Sequence, residues 1–260
     1  MKKTLYYVLI VLCGICLIFA YHTHKYYSAP KQKKAYLFNK NSINDTINIA
    51  FIGDSWAFMH KDHSCKIAEY LEYEIKKPVR VYSFGINGLT SKEIYESMYD
   101  NNDLRNFMHQ KHYDYCYISA GINDTYKKMN TSYYKQSIDC IIQLLLVNHI
   151  HPIIQEIPDY DIYKAFDRQK SLRKVLRHIS SYINECPVDC KDLYRNTLNN
   201  LIIEKNYKDC VSVLLYRTWN NNFLRDQHEL YLNDGMHLNE NGYLALDRAI
   251  ATEIAKLILK

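Results

Sequence analysis

Four short motifs follow one another along this 260-residue chain: Gly53-Asp54-Ser55, Gly88, Gly121-Ile122-Asn123-Asp124 and Asp234-Gly235-Met236-His237. Together they hold the side-chain types that acyl transfer requires. A serine hydroxyl is a useful nucleophile only when a neighbouring imidazole accepts its proton, and that imidazole needs a carboxylate to hold the productive tautomer. Ser55 is the candidate nucleophile, His237 the candidate base, and Asp234, three residues before it, the candidate orienting group. Negative charge then develops on the substrate carbonyl oxygen and calls for fixed donors. The backbone N–H of Ser55, the unshielded N–H of Gly88 and the side-chain amide of Asn123 are the candidates. Singly, each motif has a plain structural reading, Asn123 for instance as a turn residue after a strand. Their joint order is the informative feature.

For these residues to meet, the chain between them must fold appropriately. From Ile47 onward, short apolar runs alternate with longer amphipathic stretches, the pattern of a parallel sheet covered by helices. Runs at 47–52, 79–83, 113–120, 152–157 and 210–216 read as five strands. Ile67, Leu71 and Ile75 recur at helical spacing and stop before Pro78. Thr90 and Glu93 have capping-box spacing ahead of Ile94 and Met98. Three more helical faces follow: Ile138, Ile141, Ile142, Leu145 and Leu146; Leu172, Val175, Leu176, Ile179 and Ile183; and Leu244, Ile250, Ile254 and Leu257. The expected fold is a three-layer α/β/α domain over residues 47–260 with a five-stranded parallel sheet. In such sheets functional groups collect beyond the carboxyl ends of the strands, and each of the four motifs falls there.

The N-terminus bears on compartment. Lys2 and Lys3 precede a charge-free stretch at 4–21, which at roughly 18 residues just spans a hydrocarbon core. No small-x-small cleavage site closes it, so residues 1–21 read as an uncleaved signal-anchor, with a cleaved secreted form as the alternative. Basic residues before it place the following domain outside the membrane, periplasmic or extracellular. Residues 22–46 are polar, lack apolar periodicity and read as a linker.

Of eight cysteines, Cys65, Cys116, Cys140, Cys186, Cys190 and Cys210 lie beyond the apolar segment. Six thiols in an oxidising space allow about 15 pairings. Cys186 and Cys190, flanking Pro187, are the favoured pair, and Cys116 reads as a core residue. The one Cys-x-x-Cys spacing, Cys13 to Cys16, lies inside the apolar segment, and beyond it neither that pattern nor His-Glu-x-x-His occurs, so neither metal nor cofactor is implied. The formal net charge of +5 is scattered, without the basic stripe that tracks a phosphate backbone, which argues against nucleic acid. Tyr is abundant at 25 residues, from coding bias or as adhesive surface for carbohydrate. Trp219, Tyr231 and the run Asn220-Asn221-Asn222 are candidates to hold a sugar or acyl portion. His60, His63, Asp159 and Asp161 read as helix-entry and loop positions, and His149 and His151 lack metal-binding partners. Asn44, Asn123 and Asn130 begin Asn-x-Ser/Thr sequons.

Over about residues 47–260 the four blocks resemble those of the SGNH hydrolase superfamily, the GDSL esterases and lipases. The resemblance implies a flavodoxin-like fold, with Ser55 as nucleophile, His237 as base and Asp234 as its partner. It also implies an oxyanion hole from Ser55, Gly88 and Asn123, and no cofactor. Trp56 stands where the family name expects Leu, and the block Phe84-Gly85-Ile86-Asn87-Gly88 lacks the Asn common after the second strand. Gly88 is preferred to Gly85 because it precedes Leu89-Thr90. The expected function is an exported, membrane-anchored serine ester hydrolase that removes acetyl or short acyl groups from carbohydrate or a cell-surface polymer. Its partners would be a small acyl ester or acylated glycan and, through the N-terminal segment, the membrane. The same site leaves open an O-acyltransferase, a lipase or thioesterase, and a non-catalytic glycan-binding module. Oligomeric state is not legible.

Overall fold

The computed structural model describes residues 2–38, 45–61, 66–100 and 102–260. His63, Cys65 and Asn44 lie outside the described residues. The strands β1 (Ile47–Gly53), β2 (Val79–Gly85), β3 (Tyr115–Ser119), β4 (His151–Gln155) and β5 (Ser212–Leu214) form one sheet in the order β2-β1-β3-β4-β5. Every neighbouring pair is parallel. The five expected strands are all present, and this order reverses direction between β1 and β3, the place where such sheets open a crevice. The run expected at 210–216 yields only a short β5, because Cys210 and Val211 are held in a turn by Tyr207 O. Similarly, β3 begins only at Tyr115.

Helix α1 (Lys2–Tyr27) precedes the sheet, and α2 (Ser55–His60) and α3 (Ile67–Ile75) join β1 to β2. Next come α4 (Ser91–Asp100) and α5 (Asn102–Gln110), then α6 (Ile122–Lys127) and α7 (Thr131–Val147). Three helices, α8 (Ile162–Asp167), α9 (Ser171–Ile183) and α10 (Lys191–Glu204), lie between β4 and β5, and α11 (Phe223–Glu229) and α12 (Glu240–Ile258) follow. Packing divides them into layers: α2, α3 and α12 share one face of the sheet, and α4, α5, α7 and α10 the other. Burial on both faces explains the unbroken apolar run Ile49-Ala50-Phe51-Ile52 in β1, all four fully buried.

Local signals account for the helix ends. Thr90 and Glu93 form the expected capping box, Thr90 N donating to Glu93 Oε2 at 2.8 Å and Glu93 N to Thr90 Oγ1 at 3.4 Å. Lys76 ends α3 in the left-handed conformation just before Pro78. Asn130 is the N-cap of α7, its side chain accepting from Ser132 N at 2.8 Å.

Two expectations change. The apolar face expected of α9 exists but is turned outward, while α10 packs on α7 and buries Tyr194, Leu198 and Leu201. Cys186 and Cys190 are buried free thiols, not a disulfide, Cys186 Sγ donating to Pro187 O at 3.9 Å and Cys190 Sγ to Thr125 O at 3.7 Å. The described part of the polar linker is seated on the domain: Phe38 is buried and its N–H donates to Asn148 Oδ1 at 2.6 Å. Among the described residues no helix is long and apolar enough to cross a membrane, so the expected anchor is not shown. The last turn of α1 is tied to the domain by Lys92 Nζ, which donates to Lys25 O at 2.7 Å and Ser28 O at 2.8 Å.

Candidate active site

The nucleophile motif is built on a sharp exit from β1. Gly53 has φ +155°, and a Cβ there would lie 2.1 Å from Ser119 O, so only glycine lets β1 and β3 approach this closely. Asp54 then caps α2, its Oδ1 accepting from Trp56 N at 3.0 Å. Ser55 is the first residue of α2, where N–H groups have no intrahelical partner and the helix dipole favours negative charge. Gly85 at the end of β2 admits this helix, since a Cβ there would lie 2.1 Å from Phe58 N and 2.5 Å from Asp54 O.

His237 and Asp234 stand in the loop between α11 and α12. An isolated antiparallel bridge between Tyr231 and Leu238 closes this loop, with Leu232 N donating to His237 O at 2.7 Å. Gly235, at φ +75°, makes the turn, and its carbonyl accepts from Asp161 N at 2.8 Å. Inside the turn, Asp234 Oδ1 accepts from the backbone N–H groups of Met236 and His237, both at 2.9 Å, while Oδ2 lies 2.6 Å from His237 Nδ1. Burial pushes the Asp234 carboxyl up, but the His237 ring and these two backbone donors together outweigh it and hold the group well below the usual carboxylate range. His237 Nε2 lies 3.0 Å from Ser55 Oγ. The three polar residues singled out in sequence therefore form one continuous hydrogen-bonded chain.

Asn123 reaches the same place from the end of β3. Gly121, at φ +106°, is the N-cap of α6, and Asn123 in its first turn is buried with Nδ2 donating to Asp54 Oδ2 at 3.1 Å. Asn123 and Gly88 line a single cleft of about 460 Å³ with Ser55, Asp234 and His237. Phe58, Met59, Ala165 and Met236 supply apolar wall, and Tyr126 and Arg168 stand at its polar side. Gly88 has φ +77°, and its carbonyl accepts from Lys127 Nζ at 2.7 Å.

Two buried carboxyls support these blocks. Burial pushes Asp54 up to about 6 despite its bonds from Trp56, Ser119 and Asn123. Burial likewise raises Asp124 to about 7, although Ser91 donates to it from N at 2.8 Å and from Oγ at 2.5 Å. Asp124 thereby joins the third block to the start of α4. Both contributions escaped the sequence reading, although Asp54 stands directly before the candidate nucleophile. Arg168 and Tyr126 carry no sequence signal.

Other candidates are not part of the cleft. Asn220 and Tyr231 are buried and engaged internally, Asn220 Oδ1 accepting from Tyr231 Oη at 3.1 Å and from Asp159 N at 2.5 Å. Trp219 lines a separate cavity of about 480 Å³ with Tyr70 and Arg248. The carbohydrate role considered for this group is thus not supported by its position. His60 is fully buried at the end of α2, bonded to Ser83 Oγ and Asp247 Oδ1, both at 2.7 Å. Asp161 caps α8, and Asp159 pairs with Lys191 at 3.5 Å and Arg195 at 3.7 Å. His149 and His151 border a third cavity at the opposite strand ends. Among the described residues no group of three or more His, Cys, Asp or Glu is placed to hold a metal ion.

The architecture is shared with known structures. A lipase/acylhydrolase from Enterococcus faecalis superposes with a TM-score of 0.56 at 16% identity, covering 81% of this chain and 96% of that one. An acetyl xylan esterase gives 0.53 at 18% identity, covering 82% and 100%. A structure from Desulfitobacterium hafniense described as a putative lipolytic protein of the G-D-S-L family gives 0.53 at 18%, covering 80% and 98%. No protein-family model matches the chain, and no curated protein does. At these identities the likeness is one of fold. That fold is the one the four-block resemblance to the SGNH hydrolases implied.

Proposed function

We propose that this chain, which has the SGNH hydrolase fold, is a serine ester hydrolase using Ser55, His237 and Asp234. The observation that carries the reading is His237 standing between Ser55 Oγ at 3.0 Å and Asp234 Oδ2 at 2.6 Å. Ser55 Oγ attacks the ester carbonyl carbon while His237 Nε2 takes the hydroxyl proton. The resulting oxyanion is held by the N–H groups of Ser55 and Gly88 and by the free amide hydrogen of Asn123. Collapse expels the alcohol, which receives the proton from His237 and leaves an acyl group on Ser55. Water, deprotonated by the same imidazole, then releases the acid and restores the serine.

The substrate class proposed is an acetyl or short acyl ester, on carbohydrate or a cell-surface polymer. A cleft of about 460 Å³ walled by Phe58, Met59 and Met236 accommodates a small acyl group beside polar Arg168 and Tyr126. The proposed location is the outer face of a membrane, with the N-terminal segment 1–21, several of whose first side chains lie outside the described ones, as anchor. Supporting this are the charge-free stretch at 4–21 behind Lys2 and Lys3, and the exposure of Val11, Leu12, Ile15, Leu17, Ile18 and Phe19 along α1.

Hydrolysis of a small aryl acetate by the purified chain tests the chemistry. Ser55→Ala should lower turnover by at least about 10³-fold; unchanged turnover would refute the nucleophile. Retention of the chain in the membrane pellet after an alkaline wash tests the anchor.

A further inference from the structure

Helix α9 is built opposite to an ordinary surface helix. Leu172, Val175, Leu176, Ile179 and Ile183 fall on one face, and they are 71, 54, 50, 50 and 70% exposed. Ser180 is the one buried residue of the helix. A contiguous apolar face left open in this way marks an interaction site.

Charge and position point to the occupant. Residues 168–184 contain Arg168, Lys170, Arg173, Lys174, Arg177 and His178 and no acidic residue. Lys174 is paired with Asp167 at 3.2 Å, and Arg177 Nη1 donates to Lys127 O at 3.0 Å; Arg168, Lys170 and Arg173 are exposed. An apolar stripe flanked by basic side chains is the pattern of a helix lying in the plane of an anionic membrane surface. The C-terminal end of α9 also rests on α1. Tyr27 Oη and Ser180 Oγ are 2.7 Å apart, and Phe19, Ala20 and Ile183 line one small apolar cavity. Phe19 and Ala20 stand at the end of the charge-free stretch, so Ile183 is level with the depth at which a spanning α1 would leave the bilayer. At its other end α9 begins three residues after the cleft-lining Arg168, reached through Lys170.

We infer that the apolar face of α9 docks on an anionic bilayer surface and holds the cleft rim against it. The inference rests on α1 being the anchor and is independent of the ester chemistry. Docking would sink the stripe about 5–10 Å into the boundary between headgroups and acyl chains.

The full chain reconstituted into phosphatidylcholine–phosphatidylglycerol vesicles, with and without brominated acyl chains, provides the test. Leu176→Trp and Ile179→Trp place a reporter on the stripe. Leu224→Trp places one on α11, at a position 77% exposed. Trp56 and Trp219 are buried and give a common background. The expected result is several-fold stronger quenching at 176 and 179 than at 224, with all variants retaining aryl acetate hydrolysis. Vesicle-bound protein with equal quenching at the three positions would overturn the docking while leaving the anchor standing. Equal quenching with a dimer by light scattering would assign the face to a second copy instead. Loss of the chain from the vesicles after an alkaline wash would overturn the anchor and the docking with it.

Discussion

The side-chain amide of Asn123 donates to Asp54 Oδ2 at 3.1 Å, while Asp54 Oδ1 accepts from Trp56 N at 3.0 Å. One buried carboxylate thus orients both the helix that carries Ser55 and the proposed oxyanion donor from the next motif. In Asp54→Asn, an amide would face an amide wherever its nitrogen replaces Oδ2, and Asn123 must turn away to avoid a donor against a donor. The expected result is a fall in kcat of about 10²–10³-fold, the usual cost of one oxyanion donor, with KM little changed. Unaltered kcat would exclude the positioning role.

Asp234 accepts three hydrogen bonds from within its own turn. Asp234→Asn presents an N–H where His237 Nδ1–H needs an acceptor and favours the unproductive tautomer. A fall in kcat of about 10⁴-fold on an aryl acetate is expected. A second readout is pH dependence. The folded-state carboxyl is held low, so its contribution to stability is present above the unfolded value near 3.8 and is lost as pH falls toward the folded value. The stability gap between wild type and Asp234→Asn should therefore narrow on acidification below about pH 4.

Gly85 and Gly88 should behave differently. A Cβ on Gly85 would overlap the backbone of α2 at Phe58 N, so Gly85→Ala should push the nucleophile helix outward, with loss of activity and about 1–3 kcal/mol of stability. At Gly88 a Cβ meets nothing within 4 Å, and the expected cost is the left-handed backbone alone, about 1–2 kcal/mol. Thermal melts and kcat for both variants check this. Equal loss of kcat at the two positions would contradict the packing described.

Asp124 is buried with its carboxyl raised to about 7, so the folded state holds its proton more tightly than the unfolded chain. Such a group costs stability progressively as pH rises from about 4 to 7. Asp124→Asn can still accept from Ser91 N and donate to Ser91 Oγ. The variant should gain on wild type across that window, by a few kcal/mol at most. Parallel stability–pH curves for the two proteins would refute the assignment.

Sequence reached the sheet and its motifs because both were written in short-range code. β1 is an apolar run buried on both sides, the capping box at Thr90 and Glu93 is a spacing of three, and the motif order survived into one cleft. What escaped depended on distant partners. Asn220 and Tyr231 were candidates to hold a sugar or acyl portion and proved to be interior, Asn220 Oδ1 accepting from Tyr231 Oη and from Asp159 N, 61 residues away. The periodicity of α9 was read correctly, but periodicity reports that an apolar face exists and not which way it turns. The buried side chains of that region come from α10, which packs on α7. The thiols of Cys186 and Cys190 are close as their spacing suggested, yet spacing does not set oxidation state.

The bridge between Tyr231 and Leu238 has a geometric consequence for the proposed reaction. Every partner of Asp234 belongs to the loop that also carries His237, so base and carboxylate move as one rigid piece. A tilt that keeps the bonds within that loop leaves the His237–Asp234 separation at 2.6 Å and alters the separation of 3.0 Å from Ser55 Oγ. The distance from base to nucleophile is therefore set by how the loop is seated on its neighbours, and the hydrogen bond from Asp161 N to Gly235 O at 2.8 Å is one of the contacts that seat it.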